Sequence, residues 1–229
     1  MLIKWGSIVV KGSGKLGGHV FSGGPGGASV HTLAKARNPQ TKYQMAIRAR
    51  FTLLSQGWRD LTESQRESWY GAESEFSRKN RFGDVVLLSG KNLFNALNAQ
   101  RLIIGLPIEV IAPLPMETAS NIIRTIVFDI SAPFLFIGGI FTPGAEYIVV
   151  ATPKVSNGAK SFRGQLRIIG IGVGDNNGNH LNGTISLGKA YIARFGSLAL
   201  GDNAYAGCYP INNSGQKGQL ATSRINVQP

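Results

Sequence analysis

Residues 38–76 read NPQTKYQMAIRARFTLLSQGWRDLTESQRESWYGAESEF, and this stretch decides how the chain divides. Tyr43, Ile47, Phe51, Leu54 and Trp58 recur at helical spacing and share one face. Asn38 followed by Pro39 reads as an N-cap with proline at the first helical position. A second start lies at Thr62, with Gln65 three residues on, the pairing of a capping box. The helix it opens carries Trp69, Ala72 and Phe76 on its apolar stripe. With only residues 59–61 between them, the two helices are expected as an antiparallel hairpin or a bent pair. Phe82, Gly83 and Asp84 then break the pattern, and residues 85–88 suit a short strand. Ser89 caps a third helix carrying Leu93, Phe94, Leu97 and Ile104, closed by Gly105 and Pro107. A helical domain of about three helices is expected over residues 39–106.

Upstream, the first 27 residues hold nine glycines, too many for a helix and with little apolar surface to order the segment. Residues 1–38 are expected as an extended, basic, Gly-rich arm or loose hairpin, with β-like pieces at 7–10 and 19–22. Downstream, residues 107–120 carry Pro107, Pro113 and Pro115 and read as a stiff linker. The remainder, 121–229, is strand-rich. Strands are expected at 122–130, 146–152, 165–171, 184–187, 189–195, 205–211 and 220–227. Turn clusters at 143–144, 156–158, 175–178, 201–203 and 213–215 separate them. That spacing predicts an antiparallel β-sandwich of immunoglobulin or fibronectin type III size. The expected fold class is α+β.

The charge is lopsided, with 24 Lys+Arg against 12 Asp+Glu and a net charge of +12. Charged residues make up only 16% of the chain, below the roughly 25% usual for soluble domains. A surface so poor in charge suits a subunit that is covered in use. No acidic residue precedes Asp60, whereas nine basic ones do: Lys4, Lys11, Lys15, Lys35, Arg37, Lys42, Arg48, Arg50 and Arg59. The first eight of these are the candidate contacts for a partner or nucleic acid. An acid-free glycine segment suits a phosphate backbone, releasing counterions without reading sequence, and equally suits an acidic protein neighbour. Trp5 and Phe21 are the aromatics of that segment, few for a single-strand binder.

Little catalytic chemistry is proposed by the residues. Gly12, Gly14 and Gly17 fit G-x-G-x-x-G, but Gly18, Gly23, Gly24, Pro25, Gly26 and Gly27 follow where a dinucleotide fold needs a helix. A phosphate loop fails too, since Lys15 is followed by Leu16 and position 9 is Val. His19, His31 and His180 lie apart with no carboxylate cluster near them in sequence. Glu73 and Glu75 fall on different helix faces, and Glu63 and Glu67 on a solvated one. Asp175 to Asn179 is rich in oxygen ligands but lacks EF-hand spacing and reads as a turn. Cys208, the single cysteine, excludes an internal disulfide and reads as a small buried hydrophobe. Residues 1–10 carry no signal-peptide pattern. Residues 122–141 are broken by Arg124, Asp129, Pro133, Gly138 and Gly139, so no membrane span is expected there. The expectation is a non-enzymatic protein without cofactor or metal, made soluble in a reducing compartment.

A pattern runs through Gly17, Gly18, Phe21, Ser22, Asn38, Pro39, Thr41, Gln44, Arg48 and Phe51. It continues with Leu54, Ser55, Trp58, Arg59, Leu61, Thr62, Gln65, Arg66, Trp69, Gly83, Ser89, Gly90, Leu93 and Phe94. Over residues 6–106 the chain resembles small virion-associated structural proteins of tailed bacteriophages and prophages. The β-rich half resembles the fibronectin- or immunoglobulin-like modules appended to phage virion proteins. The resemblance implies a virion protein, assembled in the host cytoplasm, in the capsid, neck or tail. On that reading the chain forms a symmetric homo-oligomer, its arm tethering neighbouring subunits, and contacts other virion proteins. Packaged DNA is a possible non-specific partner, and a DNA-packaging or DNA-condensing protein is the alternative.

Overall fold

A computed structural model describes residues 2–4, 12–24, 27–34, 38–80, 82–119, 121–132, 134–156, 161–183 and 187–229, and the fold is mixed α+β. The chain divides into two units, Met1–Ala96 with Glu109–Leu114, and Leu97–Ile108 with Pro115–Pro229.

The first unit begins with β1 (Leu2–Ile3), β2 (Gly14–Leu16), β3 (His19–Gly24) and β4 (Gly27–Thr32), hydrogen-bonded in the order β1-β4-β3-β2. The extended arm or loose hairpin expected over residues 1–38 is, where described, an antiparallel sheet, the β-like piece at 19–22 falling within β3 and the piece at 7–10 lying outside the described residues. Its glycines punctuate strands rather than prevent them. Gly17, at a φ of 56°, turns β2 back on β3 so that Leu16 pairs with His19. Among its described side chains none is buried.

Helix α1 spans Lys42–Asp60 and starts later than the Asn38–Pro39 signal predicts. Thr41 decides the start. Its hydroxyl accepts from Gln44 N at 3.3 Å, and Gln44 Oε1 accepts from Thr41 N at 3.3 Å. That exchange satisfies two otherwise orphaned N–H groups, while Asn38 Oδ1 accepts from Arg48 Nη2 at 2.6 Å. Helix α2 (Glu63–Gly71) begins where expected, with Thr62 and Gln65 exchanging the same pair of bonds. A short hairpin of β5 (Arg78–Lys79) and β6 (Val85–Val86) leads into α3 (Gly90–Ile103). At the start of α3 the Ser89 carbonyl accepts from Leu93 N at 2.8 Å, while Gly90 N donates to Glu73 Oε1 at 2.5 Å.

The core of this unit is aromatic. Leu54, Trp58, Leu61, Trp69, Ala72, Leu93 and Phe94 are buried. Phe94 takes the edges of Trp58 at 5.3 Å and Trp69 at 5.2 Å between ring centroids. Edge-to-face pairs of this kind add about 0.5–1.5 kcal/mol each beyond the area they bury. The supposed linker is in part a component of this unit. Trp69 Nε1 donates to the Val110 carbonyl at 3.0 Å, and Ala112 N donates to Ser68 Oγ at 3.2 Å. A buried indole N–H needs an acceptor, and the chain after α3 supplies it.

The second unit holds two sheets. The larger has the order β11-β10-β9-β12-β13, from β9 (Glu146–Ala151), β10 (Arg167–Gly174), β11 (Leu181–Gly183), β12 (Tyr205–Ile211) and β13 (Ala221–Arg224). The smaller is β14-β7-β8, from β7 (Asn121–Asp129), β8 (Phe134–Phe141) and β14 (Asn226–Gln228), with β14 parallel to β7. The remaining pairings in both sheets are antiparallel. Ile126, Phe128, Leu135 and Ile137 from the small sheet meet Tyr147, Val149, Ala206 and Cys208 from the large one in a single core. Alternate residues of the large sheet, Ile148, Val150 and Ile211, pack on the other face with Ile103 and Ile104. The buried guanidinium of Arg101 is held by the carbonyls of Pro107 (2.9 Å from Nε) and Asn213.

Three expectations for this half are corrected. Residues 189–195, read as a strand, belong to helix α4 (Leu187–Phe195), because Leu187, Tyr191 and Phe195 recur every fourth residue and Leu187 and Tyr191 are buried. β8 appears where no strand was expected, since Gly138 and Gly139 resemble a break. A Cβ on Gly139 would lie 1.9 Å from the Ile122 carbonyl oxygen, so glycine lets β7 and β8 approach beside the register shift between Ile123 and Thr125. The single strand expected at 220–227 is two, changing sheets at buried Ile225, whose N–H donates to the Ala204 carbonyl at 2.9 Å. Residues 184–186, expected to begin a strand, and 157–160, expected to include a turn, lie outside the described residues. Among the described residues no helix is long and apolar enough to cross a membrane.

Candidate interaction surfaces

The basic positions singled out in the sequence fall into three groups. Lys11, Lys35 and Arg37 lie outside the described residues. Lys4 pairs with Asp84 at 3.7 Å and lies 5.1 Å from the Phe82 ring centroid, so part of its charge is answered within the first unit. Lys15 is exposed on β2, and Lys42, Arg48 and Arg50 lie along α1.

Helix α1 carries the least expected surface. Its apolar stripe is buried only toward the C-terminal end, where Leu54 is 0% and Trp58 8% exposed. Along the same stripe Ile47 is 51% and Phe51 53% exposed. By helical rotation Arg48 flanks this stripe on one side and Arg50 on the other. From Lys42 to Arg59 the helix has four basic residues and no acid.

The next stretch reverses the charge. Residues 60–75 contain Asp60, Glu63, Glu67, Glu73 and Glu75 against a single base, Arg66. Glu63, Glu67 and Tyr70 share one face of α2, spaced four and three apart, and all three are exposed, Tyr70 to 50%. Arg66 bridges Glu63 at 3.4 Å, and its Nη2 donates to the Arg59 carbonyl at 2.8 Å. Trp69, pointing the other way, is fully buried. Helical spacing gave the apolar stripe and the acidic face, but it reports what lies on a face and not what covers it.

The second unit has polar features of a structural kind. Asp175 Oδ1 accepts from Asn179 N at 2.6 Å and His180 N at 3.0 Å, and Oδ2 lies 3.3 Å from His180 Nδ1. The backbone bond from His180 leads the contributions that hold this carboxyl below its usual range, so its oxygens are engaged in closing a hairpin loop. Lys154 does the same for Asp202 across an ion pair. Cys208 is buried, and burial pushes its thiol up to about 12. Among the described residues no group of three or more His, Cys, Asp or Glu side chains is placed to hold a metal ion.

No family model, curated protein or solved structure matches this chain.

Proposed function

We propose that this chain is a structural or assembly subunit of a tailed-phage particle, non-catalytic and organised as a symmetric homo-oligomer. The observation that carries the reading is the uncovered half of the α1 stripe, with Ile47 and Phe51 both more than half exposed. Exposed apolar surface rimmed by charge marks a site of protein association. The first sheet, without a buried side chain among those described, and the low charge content point the same way. The sequence likeness over residues 6–106 supplies the phage context. The virion, formed in the host cytoplasm, is the proposed location, and other virion proteins are proposed partners.

The second unit is read within this proposal as an immunoglobulin-like module. Its large sheet has the chain-order pattern of a C″-C′-C-F-G sheet, with β7 and β8 in the places of A and B. Helix α4 stands in chain order where strands D and E would run, and β14 is an addition alongside β7.

The test is the mass of the purified protein by light scattering, together with its copy number in particles by quantitative mass spectrometry. A multiple of the chain mass and a fixed copy number support the proposal. A monomer at tens of micromolar that is absent from particles overturns it. Exposed Lys15, Lys42 and Arg48 favour the second reading, a DNA-packaging or DNA-condensing protein. Retention on duplex DNA that falls steeply with salt would support that reading, and no retention at low salt would remove it.

A further inference from the structure

We infer that copies of this chain join head to tail, with the exposed half of α1 from one copy seated on the Glu63, Glu67 and Tyr70 face of α2 in the next. The inference rests on the homo-oligomer reading and specifies its interface. Two surfaces of the first unit match in chemistry. One presents Ile47 and Phe51 between Arg48 and Arg50, the other presents Tyr70 beside Glu63 and Glu67, and all the apolar members are at least half exposed.

Charge selects this pairing over its rivals. A twofold contact of α1 on α1 would bring Arg48 and Arg50 against their own copies, and like charges facing each other across an interface oppose association. A twofold contact of α2 on α2 would set Glu67, and Glu63 with its bridging Arg66, against their own copies and would leave Ile47 and Phe51 uncovered. Only α1 on α2 sets positive against negative while covering Ile47 and Phe51. Such a contact uses different patches on the two partners, so it repeats from copy to copy and forms a ring where the rotation closes. The partner is thus a second copy of this chain, recognised by a basic apolar helix face meeting an acidic aromatic one.

The experiment uses the full-length chain, with association read by sedimentation equilibrium and folding by circular dichroism. Reversing the acidic face (Glu63→Lys with Glu67→Lys) and reversing the basic flanks (Arg48→Glu with Arg50→Glu) should each weaken association at least about tenfold, as expected for like charges forced together. An equimolar mixture of the two variants should recover assembly, because each reversed face then meets its complement. Glu63→Gln with Glu67→Gln provides a milder reading should a reversal disturb folding, and should weaken association less. If wild-type protein associates more tightly with the Arg48→Glu, Arg50→Glu variant than with itself, α1 pairs with α1 and the head-to-tail interface is overturned. Folded oligomers indifferent to every reversal also overturn it, leaving the homo-oligomer reading intact. A monomeric wild type removes the homo-oligomer reading and this interface together.

Discussion

The phenol of Tyr191 donates to the main-chain carbonyl of Thr152 at 2.9 Å, fastening α4 to the end of β9 inside the core of the second unit. Thr152 uses its other functional group as well, Oγ1 accepting from Tyr205 N at 3.0 Å. Removing the hydroxyl with Tyr191→Phe leaves a buried carbonyl without that donor and should cost about 1–2 kcal/mol in urea unfolding. Tyr191→Ala should cost about 3–5 kcal/mol, because an aromatic ring is lost from a filled core.

Trp69 joins a loop to a helix through a single N–H. Trp69→Phe keeps much of the ring packing but removes the bond to Val110, and about 1–2 kcal/mol of stability should be lost. Hydrogen exchange should then quicken at Ala112 more than at Leu54. Equal protection at Ala112 in both proteins would show that the Val110 bond does not secure residues 109–114.

Gly139→Ala should be among the more damaging small substitutions. The added carbon meets the Ile122 carbonyl oxygen at 1.9 Å, a backbone atom that moves only with its strand. A loss of about 1–3 kcal/mol or more follows from overpacking, readable as a fall in thermal midpoint. An unchanged midpoint would mean that the register shift on β7 absorbs the methyl group.

Cys208 should be silent toward a thiol reagent in the native protein at pH 8 and react fully in denaturant. It is buried and its thiol is held near 12, so the nucleophilic thiolate is scarce. Rapid native labelling would contradict the buried placement.

Stability should also decline in alkali with a definite sign. Burial raises Cys208 from 9.0, and Tyr191 and Tyr209 from 10.0, each to about 12. The folded state therefore holds these protons more tightly than the unfolded state. The stabilisation is fully present below the unfolded values and is lost as pH rises toward 12. Urea midpoints should fall progressively above about pH 9, and Tyr191→Phe should reduce that slope.

Local signals were legible where one short motif decides the outcome. Thr62 and Gln65 announce α2, and the turns around Gly144, Gly178, Gly201 and Gly215 fall where turn residues cluster. The start of α1 was less so, because the Asn38–Pro39 signal competes with the capping box three residues on. α4 was missed because its isoleucine and aromatics also suit a strand, and only the spacing of Leu187, Tyr191 and Phe195 separates the two. β8 was hidden by a glycine pair that serves close strand approach rather than a turn. The candidate interface was half visible. Residue identity gave the flanking charges of α1, but the exposure of Ile47 and Phe51 depends on which neighbours the tertiary structure leaves out.

The outer margin of β8 carries a consequence for the life of the protein at high concentration. This edge strand donates from Gly139 N to the Asn179 carbonyl and from Phe141 N to the Gly178 carbonyl, both at 2.8 Å. Those donors are spent on a loop of the same chain, so that end of the strand offers no template for a stray segment to extend the sheet. Asp175, accepting from Asn179 N and His180 N, holds that loop in shape. The chain is thereby turned away from strand addition at that end of β8.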